Sequence, residues 1–303
     1  MDPSGPAHLR LRDRALTWSR PLLLGVVNAN ADSFSDPGPR TPEAVAQRAV
    51  DLVAEGADIV DIGAQSAITG REPVDPASEA AAVVPVIQHV LVACPEALVS
   101  VDTFKPAVAE AALAAGAHLI NDVSGLRERA IARLCAAYGA GLVVMHTASS
   151  PLTRLQDAET YVRVADDVAE FLRRRVGEAE EEGVDPLSIV VDPGVDFAKT
   201  PAQTIELLRE MGTVVALGHP VLLALSRKDF MGALTGRPPS RREAGTLGAI
   251  AALRHIPRQI LRVHDVAATR DMLTVLDTLT GDGPVDPALA LPEHLRHEPD
   301  RFG

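Results

Sequence analysis

Between Pro21 and Thr280 the chain alternates short apolar runs with longer alanine-rich amphipathic stretches, and the alternation repeats eight times. The apolar runs occupy residues 21–28, 58–62, 97–102, 118–122, 141–146, 188–192, 220–226 and 259–264. The amphipathic stretches lie at 42–55, 76–93, 106–115, 128–138, 158–182, 202–211, 242–255 and 266–279. Thr41-Pro42 and Asp75-Pro76 are helix starts, a capping side chain followed by proline at the first helical position. Strands alternating with helices build a parallel sheet, and eight units in order predict its closure into a single-domain (β/α)8 barrel of the TIM type. Residues 1–20 form an extension in which 9–18 read as a hairpin on the barrel floor, 21–280 form the barrel, and 281–303 form a polar tail.

The 303 residues are 47% hydrophobic and 23% charged, enough for one large core and incompatible with a disordered or collagen-like chain. A net charge of -12 disfavours general binding to nucleic acid or anionic membrane, so an anionic small molecule needs a locally basic pocket. The only cysteines, Cys94 and Cys135, read as plain buried thiols, too few for a secreted disulfide framework, and a cytoplasmic setting is expected. No apolar run is expected to reach the length of a membrane span.

Polar residues gather at the carboxyl ends of the runs: Asn28, Asp61, Asp102, Asn121 with Asp122, His146, Asp192, Ser226-Arg227-Lys228, and Arg262 with His264 and Asp265. That rim is where barrel enzymes place their sites. Alternation puts Leu98, Ser100 and Asp102 on one face, Val190 with Asp192, Ile260 with Arg262 and His264, and Leu222 with Ala224, Ser226 and Lys228. Asn121 and Asp122 have opposite parity, and alternation does not choose between them. Asp102, Asn121 and Asp192 suit a flat heterocycle that donates paired hydrogen bonds to a carboxylate, whereas Lys228, Arg262 and His264 suit a phosphate or diphosphate. One heterocycle carrying a phosphate ester satisfies both halves. A metal-dependent barrel hydrolase is the rival; its first strand would end in a His-x-His pair, and here it ends Asn28-Ala29-Asn30.

The ordered segments LLLGVVN (22–28), DSFSD (32–36), VSVDTFKPAVAEAALAAGAHLINDVSG (99–125), VVMH (143–146), VDPGVDFAKT (191–200), PVLLALSRKDFMG (220–232) and RVHDVAATR (262–270) resemble the dihydropteroate synthase family over nearly the whole barrel. The resemblance implies a folate-pathway transferase that condenses a hydroxymethyl-dihydropterin diphosphate with para-aminobenzoate and releases diphosphate. By residue-wise carry-over, Asp102, Asn121, Asp192 and Lys228 hold the pterin. Asn28, Arg262 and His264 meet the diphosphate, with Asn28 on a magnesium ion. Lys228, Arg262 and His264 form the catalytic set, and Phe34, Phe197 and Ser226 face the aminobenzoate. A homodimer is likewise a family expectation.

Two loops depart from the family pattern. The family's N-V-T-P-D-S-F-S-D is replaced by Asn28-Ala29-Asn30-Ala31-Asp32-Ser33-Phe34-Ser35-Asp36, without the Thr-Pro. Its G-G-E-S-T-R-P-G is replaced by Gly63-Ala64-Gln65-Ser66-Ala67-Ile68-Thr69-Gly70, so Thr-Arg-Pro becomes Ala-Ile-Thr. A paralog that keeps the pterin site without ordinary synthase activity is therefore the second reading, either a non-catalytic pterin binder or an enzyme with another amine. A pterin-dependent methyl transferase to a corrinoid protein is a third, and the Ser226-Arg227-Lys228 and Arg262-His264 groups favour diphosphate chemistry over it.

Overall fold

The computed structural model describes residues 8–29, 41–65, 72–281 and 285–295. A two-stranded hairpin, β1 (His8–Leu11) and β2 (Arg14–Thr17), precedes eight parallel strands. These are β3 (Leu22–Asn28), β4 (Ile59–Gly63), β5 (Leu98–Asp102), β6 (Leu119–Asp122), β7 (Gly141–Met145), β8 (Ile189–Asp192), β9 (Val221–Leu223) and β10 (Gln259–Val263). They close in sequence order, β10 pairing with β3 through Ile260 opposite Leu22. Both faces of each strand are covered, which is why the runs read as continuously apolar and not as alternating.

Helices α1 (Pro42–Glu55), α2 (Pro76–Ala93), α3 (Pro106–Ala114), α4 (Ala130–Tyr138), α5 (Val164–Glu181), α6 (Pro201–Arg209), α7 (Gly212–Val215), α8 (Asp229–Thr235), α9 (Glu243–Ala252) and α10 (Val266–Thr280) surround the barrel. The two anticipated starts are capped: Thr41 Oγ1 accepts from Ala44 N at 3.3 Å and Asp75 Oδ2 from Ser78 N at 3.1 Å. Helix α2 spans 18 residues and is apolar enough to cross a membrane by length and composition, contrary to the expectation that no run would be. Here it is a barrel helix, with Val83, Val86, Ile87 and Val90 buried in the outer core.

The barrel interior is filled by a cluster of side chains from alternate positions: Leu22, Leu24, Ile59, Leu98, Leu119, Val143, Val190, Leu222 and Ile260. Leu9 and Leu11 of the hairpin plug its amino end, with Leu16 and Trp18 against them. Gly141 at the foot of β7 makes room for that plug, since a Cβ there would lie 2.3 Å from Leu11 Cδ2. Because the lower barrel is packed solid, the only polar lining left to the inward faces is at the carboxyl end. Cys135 is buried as expected, but Cys94, at the end of α2, is only half-buried.

Candidate active site

Inward parity on β4, β5, β6 and β10 brings Asp61, Ser100, Asp102, Asn121 and Arg262 together above the apolar cluster. Asp61 is fully buried and accepts from Ser100 Oγ at 2.6 Å, Asn121 Nδ2 at 3.2 Å and Arg262 Nε at 2.7 Å. The same guanidinium donates through Nη2 to Asp102 Oδ2 at 2.8 Å. Asp61 is an acceptor only, so it fixes the Asn121 amide with its NH2 inward. The buried Asn121 Oδ1 is then left without a partner among the described residues, a standing acceptor. Burial pushes the Asp102 carboxyl up to about 7, against the pull of Arg262.

Asn121 shares the inner face with Leu119, which settles the parity left open by the sequence. Asp122 turns outward and accepts from Ser124 N and Leu126 N at 2.8 and 3.0 Å, shaping the following turn.

The opposite side of the mouth is built by the loop after β8. Asp192 Oδ1 accepts from Gly194 N at 2.7 Å, and burial raises its pKa. Gly194 has φ +69°, and a Cβ there would fall 1.9 Å from His146 O, so only glycine lets this loop lie on the end of β7. Lys199, fully buried, ties the loop down: its Nζ donates to Gly194 O at 2.9 Å and Phe197 O at 3.0 Å and meets His146 Nδ1 at 2.9 Å. Burial brings the Lys199 ammonium down to about 7. The loop presents Phe197 to Lys228, whose Nζ stands 4.4 Å from the ring centroid.

Residues 220–226 were expected to be one strand with Ser226 and Lys228 in phase; β9 ends at Leu223, and the chain turns at Arg227 with φ 61°. Lys228 therefore reaches the mouth from the N-cap of α8, not from a strand face. Ser226, expected beside the aminobenzoate, lies 2.8 Å (Oγ) from His264 Nδ1. Burial, with Arg227, Arg262 and Lys228 nearby, lowers the His264 pKa to about 3. At neutral pH the imidazole is thus a neutral hydrogen-bonding group, not a cation. Arg262, expected to stand on the phosphate side only, is bonded to the ring-side carboxylate Asp102. Asn28 ends β3 opposite Gly63, whereas Phe34 and the altered segments 30–31 and 66–69 lie outside the described residues.

Asp61 and Lys199 were missed as site residues. Parity with Ile59 marks Asp61 as inward, but Lys199 sits in a loop with no period to read. For magnesium, the described residues contain no group of three His, Cys, Asp or Glu side chains able to hold an ion; magnesium commonly takes few protein oxygens together with substrate phosphates, so Asn28 fits it only jointly with a diphosphate.

A closed parallel barrel whose carboxyl-end rim gathers carboxylates, an oriented amide, a lysine, an arginine and a neutral histidine is a small-molecule enzyme of the barrel class. Comparison with known proteins makes the class specific. The chain belongs to the pterin binding enzyme family, whose model matches residues 24–264. It is 39% identical over 266 residues to a dihydropteroate synthase of Streptococcus pyogenes serotype M3, covering 85% of this chain and 95% of that one. It is 38% identical over 276 residues to the inactive dihydropteroate synthase 2 of Mycobacterium tuberculosis, covering 89% and 86%. Among solved structures, the Xanthomonas albilineans dihydropteroate synthase with 4-aminobenzoic acid superposes with a TM-score of 0.82 at 40% identity, covering 90% of this chain and 98% of that one.

Proposed function

We propose that the chain is a dihydropteroate synthase-type transferase, joining a hydroxymethyl-dihydropterin diphosphate to para-aminobenzoate with release of diphosphate. The observation that carries this reading is the pair of complementary halves at one mouth. Asn121 Oδ1 has no partner among the described residues, and with Asp102 and Asp192 at the same mouth it asks for a ring with several N–H donors. Lys228, a neutral His264 and Arg262, whose guanidinium Asp61 and Asp102 hold in place, ask for an anion.

In the proposed step the bond between the exocyclic methylene carbon and the diphosphate oxygen breaks, and the diphosphate leaves with the electron pair. The arylamine nitrogen then bonds to that carbon and gives up a proton to solvent or to the departing phosphate. Lys228 and Arg262 stabilise the negative charge that develops on the leaving group, and His264 donates to it. Asp102, Asn121 and Asp192 hold the ring, and Phe197 and Ser226 border the amine's approach. Phe34 belongs to that border by resemblance alone. Asn28 is the residue that would share a magnesium ion with the diphosphate, and no step is assigned to the ion. Free thiols at Cys94 and Cys135 support a cytoplasmic setting. The proposed homodimer accords with Val275 and Leu279 of α10, which stand 58% and 80% exposed.

The replacement of Thr-Arg-Pro by Ala67-Ile68-Thr69 favours one second reading, a paralog that binds the pterin but turns over poorly, because Ile68 stands where the family pattern carries an arginine, a cation suited to a diphosphate. Turnover of pterin diphosphate with para-aminobenzoate and magnesium separates the two. The enzyme reading expects dihydropteroate and diphosphate in equal amounts at roughly 1 per second or faster. Absence of product together with tight pterin binding supports the paralog. In that case Ala67→Thr, Ile68→Arg, Thr69→Pro should raise product formation with pterin affinity nearly unchanged.

A further inference from the structure

A cavity of about 480 Å3 opens beside the ends of β6 and β7, against the start of α5. Its wall includes Arg127, His146, Tyr161, Asp167, Phe171 and Arg175. No residue assigned above to the pterin, the diphosphate or the amine lines it. It shares only Thr147 with the much smaller cavity, about 50 Å3, that Asp102 and Phe197 line at the mouth.

The polar groups of this wall are mostly donors. Arg127 Nη2 donates to Ser149 O at 2.9 Å, and Arg175 Nη1 to Glu178 Oε2 at 2.6 Å. Arg175 Nε is buried and has no partner among the described residues. A buried N–H of this kind costs free energy until an acceptor reaches it. Lys199 Nζ donates to two carbonyls and lies 2.9 Å from His146 Nδ1; in its ammonium form it donates there too, which places the imidazole proton on Nε2 as a further donor. The one carboxylate on the wall, Asp167, accepts from Val162 N at 3.1 Å. Arg175 is paired with Glu178 and Asp167 faces the wall, so the charge offered to a ligand is chiefly that of the exposed Arg127, with Arg175 beside it. The apolar part is aromatic: Phe171 and Tyr161 lie 4.8 and 5.7 Å from the His146 ring, centroid to centroid.

We propose that this lateral cavity is a second ligand site, for a small organic anion bearing a carboxylate on a flat apolar body. The guanidiniums meet the carboxylate and the aromatic groups meet the ring; the volume suits a ligand of that size. The inference rests on the cavity alone and not on the reading of the mouth.

Benzoate is the probe, titrated by calorimetry into wild type, Arg127→Gln, Arg175→Gln and Lys228→Ala. The expected result is a saturable event that persists in Lys228→Ala and weakens roughly ten-fold or more in each arginine variant, as loss of a charge-assisted bond requires. Neutral benzamide should bind roughly ten-fold more weakly than benzoate. Should Arg175→Gln fail to fold with Glu178 left unpaired, Arg127→Gln carries the same test from a more exposed position. The proposal is overturned by no saturable benzoate binding below about 10 mM, by benzamide binding equally well, by binding that survives both arginine changes, or by binding that only Lys228→Ala removes.

Discussion

Asp61 decides the polarity of the mouth although no substrate group is assigned to it. It holds Arg262 on one side and forces the Asn121 amide to face outward with its oxygen on the other. Asp61→Asn removes the buried charge and permits the amide to flip. Pterin affinity should fall ten- to a hundred-fold, with about 3 kcal/mol of lost stability as Arg262 loses one of its two buried partners and keeps Asp102; unchanged affinity by calorimetry would show that the amide is oriented by something else. Lys199 is the other buried residue the site leans on. Lys199→Met leaves Phe197 O and His146 Nδ1 without their partner in the interior, Gly194 O keeping only the Phe197 N–H at 3.0 Å, a loss on the order of 3 kcal/mol measurable by urea denaturation. A third expectation concerns pH. The folded Asp102 carboxyl, pushed up to about 7, keeps a proton that the unfolded chain releases near 4, so its contribution favours folding at low pH and is lost as pH rises through that window. Wild type should lose stability relative to Asp102→Asn by about 1 kcal/mol per pH unit from about pH 5 to about pH 7. A difference that stays flat with pH would contradict a raised Asp102 pKa.

Elements carry these residues to the mouth with uneven legibility in the sequence. The order of strands and helices was readable because each strand is a short apolar run bounded by helix starts, and the inward faces of β5, β8 and β10 followed from alternation. Asn121 and Asp122 were not separable, because a four-residue strand fully buried on both faces shows no polar side. Lys228 was assigned by phase to a strand that stops five residues earlier, the left-handed turn at Arg227 having no clear sequence signal. Helix α8, seven residues long, is too short for its period to register, and α5 starts at Val164 and not at 158 because the preceding segment is irregular loop. The hairpin plug gives a test at this scale. Gly141→Ala drives a methyl into Leu11 and Leu119 and should cost about 1–3 kcal/mol, and Leu11→Ala in the same chain should recover part of it. A double-mutant cycle with no coupling would mean that the plug does not rest on Gly141.

At the scale of the whole molecule, a solid barrel with a polar mouth concentrates the positive and acceptor groups of an acidic protein at one end, which lets an anionic heterocycle dock against a net charge of -12. Strand ends carry Asp102, Asn121, Asp192 and Arg262 to the mouth, and the two altered loops lie outside these ends in the sequence, so ring binding and turnover are expected to be separable. The central claim is that one mouth recognises both the ring and its diphosphate. Calorimetric titration of pterin diphosphate into wild type, Asp192→Ala and Arg262→Ala tests it, with the phosphate-free pterin alongside. The account predicts binding to wild type, loss of both ligands in Asp192→Ala, and a larger loss for the diphosphate than for the bare pterin in Arg262→Ala. Failure of wild type to bind, or full affinity for both ligands in Asp192→Ala, would contradict it.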